Sequence, residues 1–330
     1  MKSIALKNNV LVYCVCTFYF IPLQVIMKTQ RKYYCVAEHC FAVQSNNDVL
    51  LSLMTNYEPF LTTDGDLHNN TIFALHIEQD GLLNEHQRLS YTHIFTDNSE
   101  KDMPRIEVYK NNGDDWLFRI SIVADSPICC ELTSNTSFTQ AQLHIAHDCQ
   151  DTHFCIDNAL MLLYAFRTAP LKTLEMHAAV VVKEQLAYVF LGHSGTGKST
   201  HARKWLEAFP DAYLLNDDNP IIRVMDNEEI RVYGSPWSGK TPCYKNAHAT
   251  LGGIVKLTQA PHNLIHSIPL PEAYAHVYSS ASGMKIERQI VEHLYNTISH
   301  VVTHIPCYLL QCLPDTAAAQ VCWEKIKEKY

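Results

Sequence analysis

The chain has 330 residues and a net charge of −8, with 47% hydrophobic and 18% charged residues, so it has room for one large or two ordinary globular domains. The acidic balance and the absence of a long basic run speak against nucleic acid as the main partner. The 12 cysteines include no C-x-x-C pair, and their spacing suits neither a zinc site nor a small disulfide scaffold. Most sit in apolar runs, where a thiol packs as a small hydrophobe, and a reducing, cytoplasmic setting is expected.

Residues 10–26 are uncharged and mostly apolar, follow Lys2 and Lys7, include Pro22 and lack a clear small-residue cleavage site. Met27 then opens Met-Lys-Thr-Gln-Arg-Lys. Residues 1–26 thus read as an apolar extension from a misplaced start, with a signal or anchor as the other reading, and no stable membrane association is expected. Residues 27–150 read as a smaller, β-rich N-terminal domain with strands at Tyr33–Val43, Ile72–Ile77, Tyr91–Thr96, Arg105–Tyr109 and Trp116–Val123. The Asn-Asn-Gly-Asp-Asp run at 111–115 predicts a hairpin between the last two. His144, His147, Cys149, His153 and Cys155 crowd one interval, but their spacing matches no familiar metal site and reads as a polar connector.

Residues 151–330 change texture and read as an α/β unit, making the whole chain α/β or α+β. Asp157 is expected to cap a helix that closes before Pro170. Glu175–Val182 reads as one strand, Gln185 as a turn, and Ala187–Leu191 as a second strand. Leu214-Leu215 lead into Asn216-Asp217-Asp218, and Ile221–Val224 pairs with Glu229–Tyr233 around Asp226-Asn227. Strands at Ile254–Thr258 and Pro306–Leu313 follow, with a long helix striped by Ile286, Ile290, Leu294, Ile298 and Val301 between them. Asp315 caps a final helix.

The most informative segment is Gly192-His193-Ser194-Gly195-Thr196-Gly197-Lys198-Ser199-Thr200, which fits G-x-x-x-x-G-K-[ST], a loop whose backbone N–H groups wrap phosphates. An apolar strand precedes it, and Ala202, Trp205, Leu206 and Phe209 stripe a helix after it, the context in which a helix N-terminus holds an anion. Lys198 is expected to reach the β/γ-phosphates of ATP, and Ser199 to ligate Mg²⁺. Asp217 and Asp218 close a strand about twenty residues on, where one carboxylate would hold the metal and the other accept a proton, in an order the sequence leaves open. A second match, Gly234-Ser-Pro-Trp-Ser-Gly239-Lys240-Thr241, contains Pro236 and Trp237, which crowd a loop that must present its amides, and no helical stripe follows it. It reads as a loop sharing the letters, from which Lys240 would serve the first site across a cleft; Lys240, and after it Arg223 or Arg231, would neutralise transition-state charge. Trp237 reads either as a base-stacking or substrate-loop aromatic or as core.

Phe190-Leu-Gly-His-Ser-Gly-Thr-Gly-Lys-Ser-Thr with the following Asn-Asp-Asp resembles the fold shared by HPr kinase/phosphorylase and ATP-dependent phosphoenolpyruvate carboxykinase. Met176-His177, Gly192–Ser199 and Asp217-Asp218, in that order, are most similar to the HPr-kinase-like group, over roughly residues 170–330. The resemblance implies a P-loop kinase-like domain, His177 beside the loop, and transfer of the γ-phosphate of ATP to a hydroxyl with Mg²⁺. The glycine-rich signature that follows the Asp pair in HPr kinases is absent, so the resemblance does not carry HPr over as substrate, and the acceptor, protein or small molecule, is not encoded in any spacing. The alternatives are a nucleotide-binding adaptor without transfer and a reduced carboxykinase-type lyase. Assembly into a homo-oligomer stays open.

Overall fold

A computed structural model describes residues 30–63, 65, 70–97, 104–239 and 241–329; the expectations for residues 1–26 and for Lys240 lie outside them. The chain is mixed α+β, with its strands gathered into two sheets. The first holds β1 (Gln30–Val36), β2 (His39–Ser45), β3 (Ala74–Glu78), β4 (Tyr91–Asp97), β5 (Arg105–Asn111), β6 (Trp116–Ser121), β7 (Ile128–Ser134) and β8 (Gln140–Ile145), in the order β1-β2-β3-β8-β7-β6-β5-β4. Lys110 pairs with Trp116 across the expected hairpin at 111–115.

The run Tyr33–Val43, expected as one strand, is a hairpin. The chain reverses at Ala37-Glu38, whose φ values of 48° and 64° are the two left-handed residues of a tight two-residue turn. Nothing in Val-Ala-Glu-His announces that turn, because neither central residue is glycine or asparagine. Cys35 and Cys40 face each other across it and are joined by a disulfide, a bond not expected of a chain read as lying in a reducing setting.

After two short helices, α1 (Asp48–Ser52) and α2 (Glu85–Arg88), comes the long α3 (Thr152–Thr168). Its cap is Asp151, whose carboxylate accepts from the Phe154 N–H at 2.9 Å, and not Asp157. Asp157 lies one and a half turns inside the helix and is engaged by Tyr57 and Asn56 instead. Cys155, Ile156, Ala159, Leu160, Leu163, Tyr164 and Phe166 are all buried, on more than one face of the helix. A helix apolar on more than one face must be covered on more than one face. One apolar cluster accordingly runs from Val43, Leu75 and Leu143 of the first sheet, through α3, to Val180, Val189 and Leu215 of the second.

The second sheet holds β9 (Thr173–Glu175), β10 (Ala178–Lys183), β11 (Leu186–Leu191), β12 (Tyr213–Asp218), β13 (Ile221–Val224), β14 (Ile230–Tyr233), β15 (His248–Gln259), β16 (Leu264–Ser267) and β17 (Cys307–Cys312). Its order is β12-β10-β11-β15-β14-β13-β9, with β17 beside the second half of β15. β11, β15 and β17 are mutually parallel neighbours, whereas β10 runs against both β11 and β12. The helices are α4 (Lys198–Ala208), α5 (Leu270–Ser280), α6 (Arg288–His304) and α7 (Thr316–Ile326), the last capped by Asp315 as expected.

Side chains alternate across this sheet with the period of a strand. Ala178, Val180 and Val182 of β10, with Ala187, Val189 and Leu191 of β11, join the large cluster. Ala179, Val181, Tyr188 and Phe190 face the other way and pack with Ala202 and Trp205 of α4 and Ala319, Cys322 and Ile326 of α7. A sheet covered on both faces explains why these strands read as unbroken apolar runs. Glu175–Val182 is nonetheless broken: Met176 and His177 turn their N–H groups to Pro220 O and Ser280 O instead of a neighbouring strand, so β9 pairs with β13 while β10 starts afresh. No helix among the described residues is long and apolar enough to cross a membrane.

Because α3 is the shared filling of the core, truncating it should cost what a core cavity costs. Leu163→Ala is expected to lower the unfolding free energy by about 2–5 kcal/mol in urea titrations, whereas Arg288→Ala, at an exposed position of α6, should change it by no more than about 0.5 kcal/mol.

Candidate functional site

Strand register assembles the site. Ala178, the first residue of β10, lies opposite Leu191, the last of β11, and opposite Asp218, the last of β12. The Met176-His177 break, the loop after β11 and the Asp217-Asp218 pair therefore meet at one edge of the sheet. That edge is also where the parallel strands β11, β15 and β17 present their carboxyl ends, the place where open α/β sheets leave a crevice.

The Gly192–Thr200 segment leaves β11 and enters α4 directly. Gly195 and Gly197 adopt φ values of 76° and 106°, a left-handed backbone in which side-chain-bearing residues are strained. These two glycines let the loop curl around the N-terminus of an eleven-residue helix. Lys198 folds its ammonium back under the loop, donating to Gly192 O at 3.0 Å and His193 O at 3.5 Å, and is almost wholly buried. The same Nζ lies 3.0 Å from His177 Nε2, and that imidazole nitrogen is 3.3 Å from Asp218 Oδ1. Lys198, His177 and Asp218 thus form one chain of polar contacts across β11, β10 and β12.

The two carboxylates leave the sheet differently. Asp217 pairs with Ala179, which packs against α4, so its carboxyl belongs to the face that carries Ser199 at the start of that helix. Asp218 turns to His177, with φ at 138°, a conformation that a residue with a side chain holds only under strain. Burial, and secondarily the Asp217 carboxylate, raise the proton affinity of Asp218, while His177 and Lys198 pull it down; the net shift is upward.

Two cavities flank the loop. One, of about 590 Å³, lies between Gly195–Gly197 and the ends of β15 and β17, with Leu257, Gln259, Leu313 and Pro314 on its wall. The other, of about 580 Å³, opens between Ser194, His177 and Asp218 on one side and the first turns of α3, Trp237 and Tyr244 on the other. Its α3 wall carries Asp157, which accepts from Tyr57 Oη at 2.7 Å and lies 3.2 Å from His153 Nδ1, while His153 Nε2 meets Asn56 Oδ1 at 3.0 Å. Burial raises the proton affinity of Asp157, against the pull of His153 and the bonds from Tyr57 and Asn56.

The second sequence match buttresses the strand end that carries the aspartates. No helix follows it, Trp237 is buried with its indole N–H on Tyr57 Oη at 2.8 Å, and Gly239 N and Ser238 Oγ both donate to Asp217 O. Asn216 adds bonds to Ser235 Oγ and Trp237 O, so the strand end carrying the aspartates is clamped to this loop. Arg223 and Arg231 are not part of the site: they reach Ala37 O, Glu38 and Glu229, tying the β1–β2 turn to β13 and β14. The His/Cys interval at 144–155 also separates. His144 faces Glu78 and Asp80, and His153 serves the cavity, while Cys149 and Cys155 turn inward.

Sequence reasoning missed the α3 wall, because Asp157 read as a cap, and it missed Glu175. That glutamate ends β9 two residues before His177 and is fully buried, and burial, followed by the charge of Asp218, pushes its carboxyl up to about 8. Its position beside Met176-His177 was the only available signal. Neither the known protein-family models nor the curated proteins include a match to this chain.

Glu175 gives the fold a pH signature. A carboxyl whose proton is held more tightly in the folded than in the unfolded chain contributes stability that is complete below 4.5 and lost as pH rises through about 8. The unfolding temperature should therefore fall across that window. Glu175→Gln should flatten the fall in a series of thermal scans, and an unchanged slope would show that the group does not carry it.

Proposed function

We propose that the chain is an ATP-dependent phosphotransferase of the HPr-kinase-like kind, moving the γ-phosphate to a hydroxyl acceptor. The carrying observation is the contact chain Lys198–His177–Asp218 beneath a left-handed glycine loop at a helix N-terminus. The triphosphate would lie along Gly192–Thr200, on amides turned outward by Gly195 and Gly197, with its nucleoside toward the cavity at the ends of β15 and β17 and its γ-phosphate toward the cavity at Asp218. Ser199 and Asp217, which share the α4 face, would hold Mg²⁺, whose chemistry is to neutralise charge on the phosphates.

Asp218 accepts the proton of the attacking hydroxyl. Its raised proton affinity brings it nearer to that task than an ordinary aspartate, and His177 holds its carboxylate in place. Lys198, already among carbonyl oxygens, offers its charge to the phosphate oxygens as the bond to the β-phosphate breaks. The acceptor oxygen gains the phosphoryl group, ADP leaves, and the acceptor proton resides on Asp218. Among the described residues, the cavity in front of Asp218 has carboxylate, imidazole and aromatic walls and neither lysine nor arginine, which favours a neutral or cationic hydroxyl compound or peptide over an acidic one. The setting is cytoplasmic, where ATP is supplied.

The test is transfer of label from γ-labelled ATP to a panel of amino alcohols, sugars and serine peptides, with Mg²⁺–ATP binding followed by calorimetry. Asp218→Asn should keep nucleotide binding and lose about 10²–10⁴-fold in transfer rate, and wild-type transfer should rise with pH as the raised carboxyl ionises. Lys198→Ala should lose triphosphate affinity. Transfer intact in both Asp217→Asn and Asp218→Asn would sink the mechanism, and tight nucleotide binding without transfer to any acceptor would favour the adaptor reading.

A further inference from the structure

Three buried cysteines from two stretches of chain meet beneath the first turn of α3, and a fourth from the preceding connector touches one of them. Cys129, Cys130 and Cys155 are buried, and their Sγ atoms all lie within 4.8 Å of one another. Cys149, half-buried in the connector before the helix, brings its Sγ to 3.5 Å from that of Cys155. Adjacent residues on a strand ordinarily point to opposite faces, so Cys129 and Cys130 need a device to point together. The strand supplies it: Ile120 pairs with Cys130 and Ser121 with Ile128, leaving Cys129 as the extra residue of a β-bulge. The connector is also fastened to that bulge, with Ala146 N donating to Cys129 O and Cys149 N to Ala146 O.

We infer that Cys129, Cys130, Cys149 and Cys155 form a tetrahedral thiolate site for Zn²⁺. A zinc–sulfur bond of about 2.3 Å separates tetrahedral sulfurs by about 3.8 Å, so the three buried sulfurs need approach by no more than about 1 Å. Four cysteines are a complete structural zinc set, closed to substrate. Cys155 lies one turn inside the N-terminal end of α3, so an ion held there would be fastened to the helix. Loading takes one Zn²⁺ and four thiols to a tetrathiolate with release of four protons, and no electron moves. One of those protons is the one that Cys129 now donates to Ile120 O at 3.1 Å. The bound ion would tie β7 to the start of α3, whose first two turns carry Asp151, His153 and Asp157 into the cavity.

The experiment uses the full chain, reduced and stripped of metal, titrated with Zn²⁺ alone and, as a spectroscopic probe, with Co²⁺ alone. One equivalent of zinc should bind by elemental analysis, proton release should accompany it, and cobalt should give the thiolate charge-transfer and d–d bands of a tetrahedral sulfur site. Cys149→Ser, at the half-buried position, should keep the circular dichroism of the parent and bind at least about tenfold more weakly, a loss that even outer-shell changes produce. Cys130→Ser should lose the cobalt bands, and Cys322→Ser, in the core beside α7, should leave them unchanged. Reduced protein that takes up no stoichiometric zinc and gives no cobalt bands, or bands that survive in both Cys149→Ser and Cys130→Ser, would overturn the site.

Discussion

Everything at the sheet edge depends on the antiparallel placement of β10 between β11 and β12. One residue, Ala178, fixes two registers at once, setting Leu191 on one side and Asp218 on the other. A slip of one residue in either ladder would reverse which side chains face α4 and which face α3, and it would pull Lys198 from His177 or His177 from Asp218. The two apolar layers make such a slip expensive, because Ala179, Val181, Tyr188 and Phe190 fill one and Val180, Val182, Val189 and Leu191 fill the other. The polar contacts of the edge are thus positioned by core packing, and the hydrogen bonds among them refine a geometry the sheet already imposes.

The first sheet supplies the far wall of the cavity through what it holds. It covers α3, and α3 delivers Asp157 and His153; Asn56 and Tyr57, from the 3₁₀ turn after α1, orient both. Trp237 extends that network to the loop clamped on Asp217, since its indole N–H rests on the same Tyr57 hydroxyl. The two halves of the sequence, different in texture, therefore share one polar network as well as one apolar core.

What was legible in the sequence was local. The loop at 192–200, its flanking strand and helix, the hairpin at 111–115, the caps and turns around Asp315 and Gln185, and the aspartate pair at a strand end each announce themselves within a dozen residues. What escaped depends on distant partners. The break at Met176-His177 exists because Pro220 and Ser280 take the N–H groups there. Asp157 reads as a cap from sequence, while Asn56 and Tyr57, which engage it, lie about a hundred residues away. The convergence of Cys129 and Cys130 depends on a bulge set against Ile120 and Ser121, which no spacing rule encodes. Charge alone points Arg223 and Arg231 toward the site, and the β1–β2 turn holds them elsewhere.

The backbone of Asp218 is itself strained. At φ 138° the residue occupies a conformation that glycine adopts without penalty and that costs other residues about 1–3 kcal/mol. A sequence shaped for stability alone would place glycine there and gain that energy. Aspartate at this position therefore holds its contact with His177 against a backbone strain that glycine would not bear.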